Sequence, residues 1–145
     1  ELSDESNSQL KKINDLDRSS RFTQALNLVR SELERNKEMR NRAIELSGEI
    51  EKMARLLPQV RPVSARAEAL QALNYELALM SRLITYNDYL NSLLEVLRVK
   101  FARGGRETDG QAAALVQSLN AEAGAINDLN NRFNQTMTDF ENFMK

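Results

Sequence analysis

The sequence has no cysteine, no histidine and no tryptophan, and its 145 residues include only two prolines and five glycines. Each scarcity excludes something. Without Cys or His there is no thiol redox chemistry, no zinc site built on those residues, no haem ligation through either, and no Ser-His-Asp triad. Ferritin-like di-iron centres draw on Glu-x-x-His pairs and are excluded on the same ground. Few prolines and glycines mean little punctuation, so helices, once started, run long. Charge of one sign is also lacking: 20 Lys and Arg stand against 21 Asp and Glu, leaving a net charge of −1. That balance gives no electrostatic reason to expect nucleic acid or a strongly anionic membrane as partner. Arg82, Asp88, Glu95 and Arg98 interrupt the longest apolar stretch, so no membrane-spanning run is present, and a membrane would enter only through segments outside this chain.

What remains is a helix-forming composition rich in Leu, Ala, Glu, Arg, Gln and Met. The stretch Ala69 to Phe101 organises it. Leu70, Leu73, Leu77, Met80 and Ile84 step by three and four along one helical face. Leu79, Leu83, Tyr86, Leu90, Leu93 and Leu97 repeat the rhythm on a neighbouring face. Two stripes predict a helix wedged between at least two others. Before it, Phe22, Val29, Ala43, Ile50 and Leu57 share one heptad position, with Asn36 as the polar exception. Ala25, Met39, Leu46 and Met53 share the companion position, with Glu32 as the exception. Pro58 and Pro62 bracket the break, and Pro62 is placed to sit in the first turn of the next helix. Gly104-Gly105 ends the central helix, and Thr108 with Gln111 is spaced as a capping box. In the last helix Ala112, Leu119, Ile126, Phe133 and Phe140 form one heptad row. Val116, Ala123, Asn130, Met137 and Met144 form the other, a spacing that suits coiled-coil packing.

The pattern predicts an all-α fold: a single domain over residues 1–145, an elongated antiparallel bundle of three long helices of roughly 60 Å each. A short N-terminal stripe, Leu10, Ile13 and Leu16, either extends the first helix or makes a fourth element. Asp15 to Ser20 are poor helix formers, and Ser19 or Ser20 is a candidate cap. With no Gly or Pro to force a turn, continuity or a mild kink is the expectation.

Four constellations are candidates for function. Arg35, Asn36, Lys37, Arg40, Asn41 and Arg42 place four cations within eight residues, a locus for a small anionic ligand or simply a solvated face. Tyr86, Asn87, Asp88 and Tyr89 combine aromatic walls with polar handles, or else pack with their hydroxyls outward. Asn130 interrupts an apolar seam, where one polar residue sets register or oligomer state, or it points to the rim. Phe133, Met137, Phe140, Phe143 and Met144 carry apolar character to Lys145, so the expectation is that this end either docks inside the bundle or belongs to a helix that continues further, as a stalk, a coiled coil or a transmembrane segment would. The site residues expected are therefore Arg35, Arg40, Tyr86, Asn87 and Tyr89 for a ligand, and Asn130, Phe140, Phe143 and Met144 for an interface.

Nothing gathers Asp, Glu, Tyr, Lys and Arg into an acid–base constellation. No catalytic residue, metal ligand or cofactor is expected, and the chain is not expected to be an enzyme. The first expectation is a protein–protein interaction module (scaffold, tether, adaptor or chaperone) with a protein partner or self-association. The alternative is the ligand-sensing domain of a membrane signal-transduction receptor, which would place it outside the cytoplasm. The polar opening at Glu1, without a signal-peptide pattern, fits a segment excised from a longer protein.

Overall fold

A computed structural model describes residues 2–18, 21–104 and 109–145. Among these the chain is 92% helical, with four helices and no strand. They are α1 (Leu2–Arg18), α2 (Phe22–Ala54), α3 (Ala65–Ala102) and α4 (Asp109–Met144), with a 3-10 turn at Leu57–Gln59. The all-α bundle follows from the apolar periodicity. The breaks follow from the punctuation. Pro58 is the second residue of the 3-10 turn, and Gly104, at φ 74°, terminates α3 in a left-handed conformation that an L side chain adopts only with strain. Pro62 is not in the first turn of α3. Its carbonyl accepts a hydrogen bond from Ala65 N–H at 3.0 Å, so it closes the turn that leads into the helix. The expectations placed on Ser19, Ser20, Gly105 and Thr108 lie outside the described residues.

The N-terminal stripe does not continue into α2. In a continuous helix Glu5 and Arg35 would stand about 45 Å apart, yet their side chains form an ion pair. Asp17 likewise reaches Lys100 of α3 at 2.7 Å. The reversal needs neither Gly nor Pro: Arg21 N–H donates to the carbonyl of Leu16 at 2.9 Å, across a run of weak helix formers. The expectation of continuity is therefore corrected, and α1 is a separate element folded back along α2.

The contacts divide the chain into two compact units, each assembled from separate stretches. Unit 1 comprises Glu1–Met39 and Asn87–Leu119, and so contains α1 and parts of the other three helices. Its core holds Ile13, Ala25, Val29, Leu90, Leu93, Leu94 and Leu119. Phe22 and Phe101 stack with ring centroids 6.0 Å apart. Unit 2 comprises Arg40–Tyr86 and Asn120–Lys145, parts of α2, α3 and α4 only. There Ala43, Ile50, Leu79 and Met80 are buried, with Leu73, Leu77, Leu83, Ile84, Ile126 and Leu129 packed against them. Arg82 of α3 meets Glu122 of α4 at 3.1 Å, and Ala69, Ala72, Leu73 and Glu76, further back along α3, line one cavity with Phe133, Met137 and Phe140, further on along α4. Within this unit α3 and α4 thus run antiparallel.

Two expectations about faces change. Leu70 is 48% exposed instead of sharing the buried stripe. The most regular heptad pattern, that of α4, is the least covered: of its ten row positions only Leu119 is buried.

Candidate binding groove

Unit 2 contains a cavity of about 450 Å³, half open to solvent. Leu46, Ile50 and Met53 of α2 form one wall. Ala69, Ala72, Leu73 and Glu76 of α3 form the second, and Phe133, Met137 and Phe140 of α4 the third. Leu56, Leu57 and Val60, around the 3-10 turn, complete the lining. The heptad rows of α2 and α4 supply most of these residues. Three helices offer three apolar faces, and in this unit no fourth helix covers them. Twelve of the lining side chains are apolar, and Glu76 is the one ionisable group among them. Burial pushes the Glu76 carboxyl above its ordinary value of 4.5, because the apolar surroundings disfavour its charged form.

Unit 2 exposes apolar side chains both in the cavity lining and outside it. Among the described residues nine large hydrophobics are exposed, and all except Val116 belong to unit 2: Ile44, Leu46, Met53, Leu56, Val63, Leu70, Phe143 and Met144. Scattered apolar exposure is ordinary, whereas here it is concentrated in one of the two units.

The ligand residues expected from sequence are placed differently. Arg35 is engaged with Glu5 and lies 3.4 Å from Glu32, and the hydrogen bond to Glu5 raises its pKa. Two carboxylates of unit 1 thus face its charge, although its buried Nη1 makes no hydrogen bond. Arg40 is half-buried in unit 2 and is also engaged. Tyr86 is half-buried in unit 2, where burial raises its phenol. Asn87 and Tyr89 belong to unit 1, Asn87 buried and Tyr89 half-buried. Within unit 1 the structure does bring two of the sequence constellations together. Asn36 Nδ2 donates to the backbone carbonyl of Asn87 at 2.7 Å. Both asparagines are 2% exposed, Glu32 is 4% exposed, and the side-chain oxygens of Gln9, Asn36 and Asn87 accept no hydrogen bond within the chain. The polar exceptions in the α2 heptads are therefore not turned to solvent. They form a buried polar layer.

Of the interface residues, Phe140 lines the cavity, while Phe143 and Met144 are about half exposed. Asn130 is exposed on α4, so it points to the rim and does not occupy a buried seam. Sequence reading missed Glu76, Leu46, Ile50 and Leu73 as members of one site. The available signal was a lone carboxylate, Glu76, set among the apolar steps Leu73, Leu77 and Met80.

Among the described residues no group of His, Cys, Asp and Glu could hold a metal ion, and no helix is long and apolar enough to cross a membrane. In comparisons with known proteins, the chain matches no family model, no curated protein and no solved structure.

Proposed function

We propose that this chain is a non-enzymatic protein–protein interaction module, a scaffold, tether, adaptor or chaperone, that receives an apolar helical segment of a partner in the groove of unit 2. The observation that carries the reading is the groove itself: three helix faces, twelve apolar lining residues and no covering helix. Helix-in-groove recognition uses this combination, reading apolar anchors at i, i+3 or i+4, and i+7. The heptad row Phe133 and Phe140, with Met137 beside it, would provide the seam against which the incoming helix packs.

Photo-crosslinking tests this. A photoreactive residue at Met137 is expected to capture an apolar helical segment of a partner, and the same residue at Ser118 is not. Phe140→Asp should abolish the capture. Capture that is equal from both positions, or insensitive to Phe140→Asp, would overturn the reading.

A second reading, a small-molecule sensor domain, is favoured by one observation. The cavity volume falls within the range of about 300–1,000 Å³ typical of small-ligand sites. A thermal melt against amino acids, amines and organic acids separates the two, since a ligand at a hundred times its Kd stabilises by about 2.7 kcal/mol.

A further inference from the structure

We propose that α1 is an exchangeable helix. The connection between α1 and α2 straightens, the two helices run on as one, and the α1 of a second copy of this chain takes the seat that the first has left, giving a reciprocally swapped dimer. The inference concerns unit 1 and does not rest on the groove of unit 2. It starts from the sequence of the connection. Asp17, Arg18, Ser19, Ser20 and Arg21 lead from one helix to the next, and none is a glycine or a proline that would oppose a continuous helix. The backbone also loses little by straightening. Arg21 N–H donates to the carbonyl of Leu16, one residue beyond the ordinary helical step, so a continuous helix exchanges this bond for the one to Asp17. The fold-back is therefore held by contacts between helices and not by the local chain.

Those contacts are few. Of the α1 side chains described, only Ile13 is buried, with Leu10 and Leu16 half-buried. Two ion pairs, Glu5 with Arg35 and Asp17 with Lys100, join α1 to α2 and α3. Docking also leaves Gln9 Oε1 of α1 and Arg35 Nη1 of α2 buried without a hydrogen bond within the chain, and water satisfies both once α1 swings out. The structure itself shows what covers the seat, because α1 covers it: the seat offers Arg35 to Glu5 and Lys100 to Asp17, and a second copy brings the same residues. Register is kept as well. Glu5 and Arg35 lie equally far along the chain on either side of position 20. A two-fold axis through the straightened connections of two antiparallel copies therefore brings each Glu5 to the other copy's Arg35. The swapped dimer recovers the contacts of the closed chain and adds two helical junctions. The closed chain holds its own α1 at high effective concentration, so it prevails in dilute solution and yields to the dimer as concentration rises.

The test combines sedimentation with a distance measurement on the full chain, refolded from urea at millimolar concentration. The chain has no cysteine, so spin labels attach cleanly at Asn7→Cys and Lys37→Cys, both exposed positions. Along one continuous helix the two stand about 45 Å apart, and when α1 is folded back they are far closer. Mixing labelled chain with an excess of unlabelled chain restricts the reading to the distance within one copy. The dimer fraction is expected to show the long distance and the monomer fraction the short one. The dimer dissociation constant is expected to fall about tenfold for Ser19→Ala/Ser20→Ala and to rise about tenfold for Ser19→Gly/Ser20→Gly, since each dimer contains the straightened junction twice. A dimer whose labels stay close would place its interface elsewhere, on the exposed apolar side chains of unit 2 for example, and would overturn the exchange. Equal dissociation constants for the two double variants would overturn it too, as would a Ser19→Ala/Ser20→Ala chain that stays monomeric at millimolar concentration.

Discussion

Asn36 and Asn87 show how a residue type disfavoured in helix interiors acquires a purpose when two copies meet. Asn36 occupies space that the heptad pattern would fill with an aliphatic side chain, and each of the two leaves an amide oxygen unpaired within the chain. Unsatisfied buried amides are costly, so Asn36→Leu is expected to leave stability unchanged or raise it by about 1 kcal/mol in urea titrations. What it should lose is uniqueness of α2–α3 register, seen as additional amide resonances. Glu76 has the opposite relation to stability. Its folded pKa lies above the unfolded value of 4.5, so at higher pH the folded state is the less willing to ionise it. The resulting destabilisation is absent below about pH 4.5, develops as pH rises through the folded pKa, and persists beyond it. Glu76→Gln should therefore stabilise the chain near pH 7.5 and have little effect near pH 4, as denaturant midpoints at the two values would show. Leu90, 1% exposed, should cost about 2–5 kcal/mol as Ala. Leu83→Ala should cost less, because Leu83 is only partly buried.

At the scale of elements, α1 is the informative case. It is held to α3 by Lys100 and Asp17, a pair whose lysine is largely buried. Asp17→Asn is expected to cost about 1–3 kcal/mol and to speed amide exchange along α1 more than along α2. Equal acceleration in both helices would place the pair's role elsewhere. The existence of α1 was legible in Leu10, Ile13 and Leu16, but its reversal was not. Arg21 turns back onto Leu16 without the glycine or proline that would announce a turn. The limits of α2 and α3 were legible because Pro58 and Gly104 mark them. The heptad rows identified apolar faces correctly, yet a row of Phe and Met reads the same whether a neighbour covers it or not. That is why α4 carries the clearest pattern and the least burial. Asn36 pairs with a residue 51 positions away, and no local pattern signals a partner at that distance.

For the whole molecule, the uneven distribution of helices between the units gives an uneven distribution of protection. Unit 2, with three helices and an open cavity, is expected to exchange its amides faster than unit 1, and a bound helix should slow that exchange selectively. Hydrogen exchange with and without an apolar helical peptide would measure both effects. Unit 2 also bears eight of the nine exposed large hydrophobics among the described residues, on a chain whose net charge is only −1 and whose pI is about 5.7. Long-range repulsion between copies is correspondingly slight. The colloidal behaviour of the free chain then follows from these exposed side chains: attraction between molecules should strengthen as pH falls toward the pI and as sulfate is added. A second virial coefficient from light scattering should turn negative along both paths and return toward positive values when a peptide fills the groove. The same exposed side chains therefore limit the concentration at which the free chain stays dispersed.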